Sequence, residues 1–302
     1  MNPETPTVEC LYRAANYLGE SPLWSVTEQE LYWINCEREP TLFRLDPASG
    51  ALRQWPLPER IGGVYLDASD RLYVALASGI YGFDPETSAL DLIAANPHPD
   101  TVMLHEGKCD RQGRLWIGSL SKRLVSHGET GGAYIYRLDG DTLVPQISDI
   151  SVANGLAWSP DGSRMYHTDT LASRVWVHDY DTATGAIANP RVLFAITPEE
   201  GGLDGAAVDA EGGYWTALFK GGCLRRYTPE GVLDREIALP ISQPTMPAFG
   251  GPDLTTLFVT TTRHGKSAED VEREPGLGDL YTIAGLAQGL PEPRLKLEPR
   301  AR

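Results

Sequence analysis

Short runs of alternating apolar and polar residues, rich in Tyr, Trp, Val and Leu, are separated by turn residues along the whole chain. One pattern, a polar turn followed by an apolar residue and an aromatic residue, recurs six times. Its aromatic residues are Tyr32, Tyr73, Trp116, Tyr166, Trp215 and Phe258. Their spacings of 41, 43, 50, 49 and 43 residues indicate an internal repeat. A second hairpin is predicted after each one, at residues 41–50, 79–87, 132–140, 173–185, 222–231 and 278–289.

Six repeats of about four strands each predict an all-β, six-bladed β-propeller, in which the sheets stack radially and leave only short protected edges. We expect one such domain over residues 1–302. The N-terminal run, residues 7–13, is expected to pair into the last blade and close the ring. A two-sheet sandwich is the alternative, but sandwiches do not repeat this regularly.

Composition narrows the class of protein further. Hydrophobic residues make up 41% and charged residues 22% of the 302 positions, which excludes a largely disordered chain. The net charge of −15 argues against a nucleic-acid or anionic-membrane surface and is compatible with cation binding. No run approaches the roughly 18 apolar residues of a membrane helix. We expect a cytoplasmic monomer or weak oligomer, with no secretory signal.

The cysteines are too far apart for a disulfide scaffold or a zinc ribbon, and they form no C-x-x-C pair. Reduced thiols are therefore expected at Cys10, Cys36, Cys109 and Cys223.

Equivalent residues of different blades converge on the central channel of a propeller. Counting back four residues from the apolar residue before each turn gives one position per blade. These positions are Glu20, Gly62, His105, Asn154, Asp204 and Thr245. Four of them are types that bind metals, and a divalent cation would relieve the repulsion between two buried carboxylates. Oxygen donors suit Ca²⁺, Mg²⁺ or Mn²⁺, whereas an imidazole ligand would favour Zn²⁺ or Fe²⁺.

A simpler interpretation of these positions stays open. Asn154 and Asp204 each precede a glycine, so both pairs could begin strands through ordinary turn chemistry. Glu20 could cap a loop, and His105 could bond a ligand or a backbone group.

Four segments resemble the senescence marker protein, gluconolactonase and regucalcin-like family: GESPLW at 19–24, GKCDRQGRLWIG at 107–118, NGLAWSPDG at 154–162 and LDGAAVD at 203–209. The resemblance implies a six-bladed propeller with one axial divalent metal ion. It implies that the metal is held by Glu20, Asn154 and Asp204, and His105 is a candidate fourth ligand. It also implies hydrolysis of sugar lactones to aldonic acids.

The sequence departs from the family before the third turn, where the family usually has Arg-x-Asn-Asp-Gly. Here Met103, His105 and Glu106 stand in that segment, so a fork of hydrogen-bond donors is missing at position 103. The substrate is therefore expected to be less polar, differently charged or gripped elsewhere. Candidate substrate-binding residues are His105, Glu106, Met103 and, from a long rim loop at 119–132, Glu129. Lys122, Arg123 and His127 share that loop, whose charged residues would ordinarily be solvated.

We expect the metal to bind the lactone carbonyl oxygen as a Lewis acid while water attacks the carbon, with Asp204 first and Glu20 second as general base. A phosphotriesterase-like metal hydrolase is one alternative. A calcium-binding or scaffold propeller without chemistry is another. No G-x-S-x-G, P-loop or G-x-G-x-x-G motif supports other enzyme classes.

Overall fold

The computed structural model describes residues 6–297, which fold into six four-stranded antiparallel sheets. The strands of this part of the chain are β1 (Val8–Tyr12), β2 (Gly19–Ser25), β3 (Glu30–Asn35), β4 (Thr41–Leu45), β5 (Leu52–Pro56), β6 (Ile61–Leu66), β7 (Leu72–Leu76), β8 (Gly79–Phe83), β9 (Leu90–Ala95), β10 (Val102–Cys109), β11 (Leu115–Ser121), β12 (Ala133–Asp139), β13 (Thr142–Ile150), β14 (Ala153–Trp158), β15 (Arg164–Asp169), β16 (Arg174–Tyr180), β17 (Ile187–Ala195), β18 (Gly202–Val208), β19 (Tyr214–Phe219), β20 (Cys223–Tyr227), β21 (Leu233–Ala238), β22 (Pro244–Gly250), β23 (Thr256–Thr261) and β24 (Leu280–Ala284). Two short helices are α1 (Lys122–His127) and α2 (Ala268–Arg273), and two 3₁₀ turns lie at Thr170–Ala172 and Pro198–Glu200.

The six sheets are the blades of the predicted propeller. Blades one to five each consist of four consecutive strands, beginning with β2–β5 and ending with β18–β21. Blade six has the order β1-β24-β23-β22, so the strand from the N-terminal run completes the last blade. Val8 pairs with Ile283 and Tyr12 with Leu280, which closes the ring as the sequence predicts.

The repeat aromatics pack between the blades. All six are buried: Tyr32, Tyr73, Trp116, Tyr166, Trp215 and Phe258. Trp116 of blade three, for example, packs against Trp158 and Tyr180 of blade four. Each blade alone exposes both faces of a small sheet, so burial of these rings between neighbours is what stabilises the ring.

The innermost strands β2, β6, β10, β14, β18 and β22 contact one another around the axis. Every one of them is interrupted by a register shift near its start, for example between Glu20 and Leu23 in β2 and between Asn154 and Ala157 in β14. A bulge re-aims the side chain beside it, and here the bulges fall at the six positions that the repeat predicts to line the channel.

A C-terminal strap, residues 289–297, crosses the opposite end of the channel. Its Glu292 carboxylate lies 3.0 Å from the Lys108 ammonium, and its Arg294 contacts Asp70 at 2.9 Å. The strap backbone also bonds to Leu66, since the Leu295 amide donates to that carbonyl at 2.8 Å. The cavities beneath the strap measure about 30 and 20 Å³, so this end of the channel is nearly filled.

The expectation of reduced cysteines holds. All four cysteines are free thiols, of which Cys10 is exposed. Across residues 6–297 we find no helix with the length and apolar character required to span a bilayer.

Candidate active site

A cavity of about 920 Å³ opens at the end of the propeller where the innermost strands begin. Glu20, His105, Asn154 and Asp204, contributed by β2, β10, β14 and β18, line it together. All four side chains are 4–8% exposed. Residues up to 184 positions apart in the chain therefore meet in one place, as the repeat spacing predicts.

Two of these side chains are buried carboxylates that oppose one another. Burial raises the pKa of Glu20 well above its usual range, and the neighbouring charges of Asp204 and Glu106 add to the shift. The pKa of Asp204 is raised likewise, first by burial and then by Glu106. Holding both groups ionised in this position requires a compensating positive charge.

Asn154 links the two sides of the site. Its amide nitrogen Nδ2 donates to Asp204 Oδ1 at 2.8 Å and to Thr170 Oγ1 at 2.9 Å. Both amide protons are therefore used, which leaves the Asn154 carbonyl oxygen as an acceptor or a metal ligand.

His105 is held by Arg60, a residue that the sequence did not predict for the site. Arg60 Nη2 lies 3.0 Å from His105 Nδ1, and Arg60 Nη1 donates to the Leu104 carbonyl at 2.9 Å. The approach is close because Gly62 packs on this segment, where a Cβ would lie 2.7 Å from the His105 carbonyl oxygen. Burial, followed by the Arg60 charge, lowers the pKa of His105 to about 3, so the ring is neutral.

Glu106 is not brought into the cavity. Its carboxylate accepts hydrogen bonds from the backbone amides of Gly155 at 2.9 Å and Leu156 at 2.8 Å. Burial raises its pKa to about 7, against the lowering effect of Lys108 and of those two amides. Glu106 thus fixes the bulge after Asn154, where Gly155 has a φ of +63°, and so acts on the backbone that presents Asn154.

Met103 lines the cavity, but Glu129 does not. Glu129 is exposed and forms an ion pair with Arg123. The predicted rim loop also starts later than expected, because β11 continues to Ser121. Within it, helix α1 presents Leu124 and Val125 to the cavity. The rim therefore supplies apolar side chains, while Lys122 and His127 bond elsewhere, to the Pro99 carbonyl and to Ser126.

A second set of equivalent positions in the repeat contains Arg60, which was missed in the sequence. The positions two residues before the candidate ligands in blades one to four are Leu18, Arg60, Met103 and Val152, and all four line the cavity. Arg60 in blade two is therefore the counterpart of Met103 in blade three. The same alignment of the blades, applied two residues earlier, selects Arg60 from the sequence.

Glu20, Asn154 and Asp204 fit a divalent cation. They offer two carboxylates and an amide oxygen at one place, a donor set that suits hard cations such as Ca²⁺, Mg²⁺ or Mn²⁺. Among the described residues no three His, Cys, Asp or Glu side chains are grouped closely enough to hold an ion by themselves. A site here needs the Asn154 amide as its third protein ligand.

Comparison with known proteins identifies the family of the chain. Residues 18–263 match the family model described as SMP-30/Gluconolactonase/LRE-like region. The chain is 36% identical to a 6-deoxy-6-sulfogluconolactonase of Pseudomonas putida, with 95% of this chain and 98% of that protein covered. It is 32% identical to an L-arabinolactonase of Azospirillum brasilense, with 94% of each covered. A solved regucalcin of Agrobacterium tumefaciens, described as a calcium-binding protein, superposes with a TM-score of 0.91 at 29% identity and covers 97% of this chain and 98% of its own.

Proposed function

Because the chain belongs to the SMP-30/gluconolactonase/LRE-like family, we propose that it is a sugar lactonase that hydrolyses aldonolactones to aldonic acids. The observation that carries the proposal is the meeting of Glu20, Asn154 and Asp204 at the floor of a cavity large enough for a monosaccharide lactone. Relatives named for lactones of two different sugars support the reaction class.

We propose that Glu20, Asn154 and Asp204 hold one divalent cation. When bound, such an ion supplies Lewis acidity toward a lactone carbonyl oxygen. The charge of the ion would also balance the two carboxylates whose ionised forms burial disfavours. The oxygen-rich donor set makes Ca²⁺ the ion we expect, with Mg²⁺ and Mn²⁺ as the next choices.

Asp204 is the proposed general base, with Glu20 as the second choice. The hydrogen bond from Asn154 fixes the orientation of the Asp204 carboxylate at the cavity floor. A carboxylate held in this way would take the proton from the attacking water and return it to the ring oxygen as the bond between that oxygen and the carbonyl carbon breaks, so that the ring oxygen leaves as the hydroxyl of the acid.

Apolar side chains make up much of the cavity wall and restrict water around the substrate. They include Leu18, Leu120, Leu124, Val152 and Phe219, and the charged Glu37 and Arg38 belong to the same lining. An apolar wall above a polar floor holds the sugar ring by its less polar face while the floor contacts its oxygens.

The test is acid release from glucono-, arabinono- and 6-sulfogluconolactones, followed with a pH indicator in the presence and absence of a chelator. We expect chelator-sensitive turnover of at least one lactone by the wild-type protein. Asp204→Ala should lose both turnover and metal retention. The exposed Asp141→Ala variant, altered in a surface turn, should keep both and serves as the matched control.

Each other outcome rejects the proposal. Full lactonase activity in Asp204→Ala rejects the assignment of the site. Turnover of phosphotriesters alone would point to a phosphotriesterase-like hydrolase. Calcium binding with no turnover of any ester would instead place this chain with non-catalytic calcium-binding propellers.

A further inference from the structure

A row of polar side chains crosses the site from the rim to the floor. It begins at Glu37, whose carboxylate lies 2.9 Å from Arg60 Nε, and continues from Arg60 to His105 Nδ1 at 3.0 Å. The Asn154 side chain lies next to His105 in the cavity lining and acts to raise the pKa of its ring, and Asn154 donates to Asp204 at 2.8 Å. Five side chains from blades one to five thus lie in a row.

The position of the proton on the His105 ring follows from the donor that faces it. A guanidinium has N–H donors and no acceptor, so His105 Nδ1 must be the acceptor and carries no proton. The remaining ring proton of neutral His105 is then on Nε2. Both amide protons of Asn154 are already given to Asp204 and Thr170, so its carbonyl oxygen is the atom that can accept the Nε2 proton of His105.

Arg60 is also well placed to impose this order. Its side chain is 9% exposed, and three separate acceptors fix its guanidinium: Glu37, the Leu104 carbonyl and His105. Rotation of the guanidinium would break more than one of these bonds at once. The donor that faces His105 is therefore a fixed feature of the site.

We infer that Arg60 is a positioning residue, which holds His105 as the Nε2–H tautomer and, through it, orients the Asn154 carbonyl oxygen for the cation. His105 is then a hydrogen-bond donor in the cavity and not a metal ligand. The inference rests on the proposed function only in taking Asn154 as a ligand of the cation.

The inference also explains how the site obtains a guanidinium although position 103 is a methionine. Arg60 stands at the equivalent position of the neighbouring blade, and its guanidinium bonds to the segment that carries Met103. The site therefore contains a guanidinium, but it belongs to Arg60 of blade two and donates to His105, whereas the family arginine would lie on blade three.

The first experiment reads the tautomer of His105 in the metal-free wild-type protein, by long-range ¹H–¹⁵N NMR. The His105→Gln spectrum identifies its signals. We expect a proton on Nε2 and none on Nδ1. A proton on Nδ1 would overturn the inference. Because neither lactone nor metal is present, this result is independent of whether the chain is a lactonase.

The second experiment compares Ca²⁺ affinity in Arg60→Met and Arg60→Lys by titration calorimetry. Loss of a residue that orients a ligand weakens metal binding by roughly 10- to 100-fold, and we expect Arg60→Met to fall in this range. Arg60→Lys keeps a donor and should recover part of the affinity. The Arg53→Met variant, which alters an exposed ion pair with Glu86, is the matched control.

The direction of the change in Ca²⁺ affinity distinguishes a positioning role of Arg60 from a purely electrostatic one. Removing a positive charge near a cation site should tighten Ca²⁺ binding if Arg60 acts only through its charge. Unchanged or tighter binding in Arg60→Met therefore overturns the inference. If Arg60→Met does not fold, the wild-type tautomer and the Arg60→Lys affinity decide the question.

Discussion

Each candidate ligand at the floor of the cavity lies at a β-bulge. Residues whose position depends only on the repeat could be predicted from the sequence, whereas residues that contact the bulged backbone could not. The period of the repeat places Glu20, Asn154 and Asp204 together without knowledge of the bulges, because every innermost strand carries its irregularity at or beside the equivalent residue. The roles of Glu106 and Arg60 depend on the bulge geometry itself. Glu106 bonds to the backbone of blade four, a contact that no spacing within blade three reveals.

Arg38 carries a prediction at this scale. Its guanidinium lies 3.8 Å from the centre of the Tyr17 ring, and the His264 ring packs against the same tyrosine at a tilt of 60°. Both Arg38 and His264 line the cavity. No described residue accepts a hydrogen bond from it. We expect Arg38→Gln to raise KM for a lactone with an anionic substituent by roughly fivefold, which corresponds to about 1 kcal/mol for an exposed ion pair.

Steady-state kinetics on a neutral and a sulfonated lactone check this expectation. KM for the neutral lactone should stay unchanged, as should both values in Arg53→Gln, a control in which the arginine also stacks on an aromatic ring, Trp55. Equal effects on the two lactones would show that Arg38 does not read the charge of the substrate.

Among the secondary-structure elements, the rim helix α1 differs most from expectation. The sequence predicts a role for the charged residues of this loop, whereas the residues of α1 that line the cavity are Leu124 and Val125. A six-residue helix has too few turns for a hydrophobic period to be recognised, so its orientation depends on contacts with the rest of the rim. The strands, by contrast, are fixed by a period repeated six times.

Val125 is 66% exposed and lines the cavity next to Leu124, so a bound lactone would cover apolar surface there. We expect the pair of substitutions Leu124→Ser and Val125→Ser to raise KM for lactones by roughly 10-fold, as contact with about two methylene groups would be lost. The exposed Val232→Ser variant in blade five is the control. Thermal unfolding should be nearly unchanged, and a fall in stability with normal KM would assign α1 a purely structural role.

At the scale of the whole molecule, the two ends of the channel serve different purposes. One end holds the cavity, and the strap closes the other by tying together the turns of several blades. The ring and its closure by β1 follow from the sequence. The path of the strap does not, because residues 289–297 have no period and pack only through individual contacts with the finished ring.

Leu295 tests the contribution of the strap. It is 2% exposed, in the hydrophobic cluster between blades two and three. We expect Leu295→Ala to lower the free energy of unfolding by about 2–4 kcal/mol, the range for a buried leucine. Chemical denaturation measures this value, with Leu233→Ala at a 48% exposed position as the control. Equal stability of the two variants would show that the strap is not part of the cooperative fold.

The proposed site requires three blades to share one cation. Its direct test is calorimetric titration of the metal-free protein with Ca²⁺, Mg²⁺ and Mn²⁺, repeated with Glu20→Gln, Asn154→Ala and Asp204→Asn. We predict one ion per wild-type chain, with Ca²⁺ bound most tightly, and a large loss of affinity in each variant. Absence of binding in the wild-type protein, or binding that survives all three substitutions, would contradict the account.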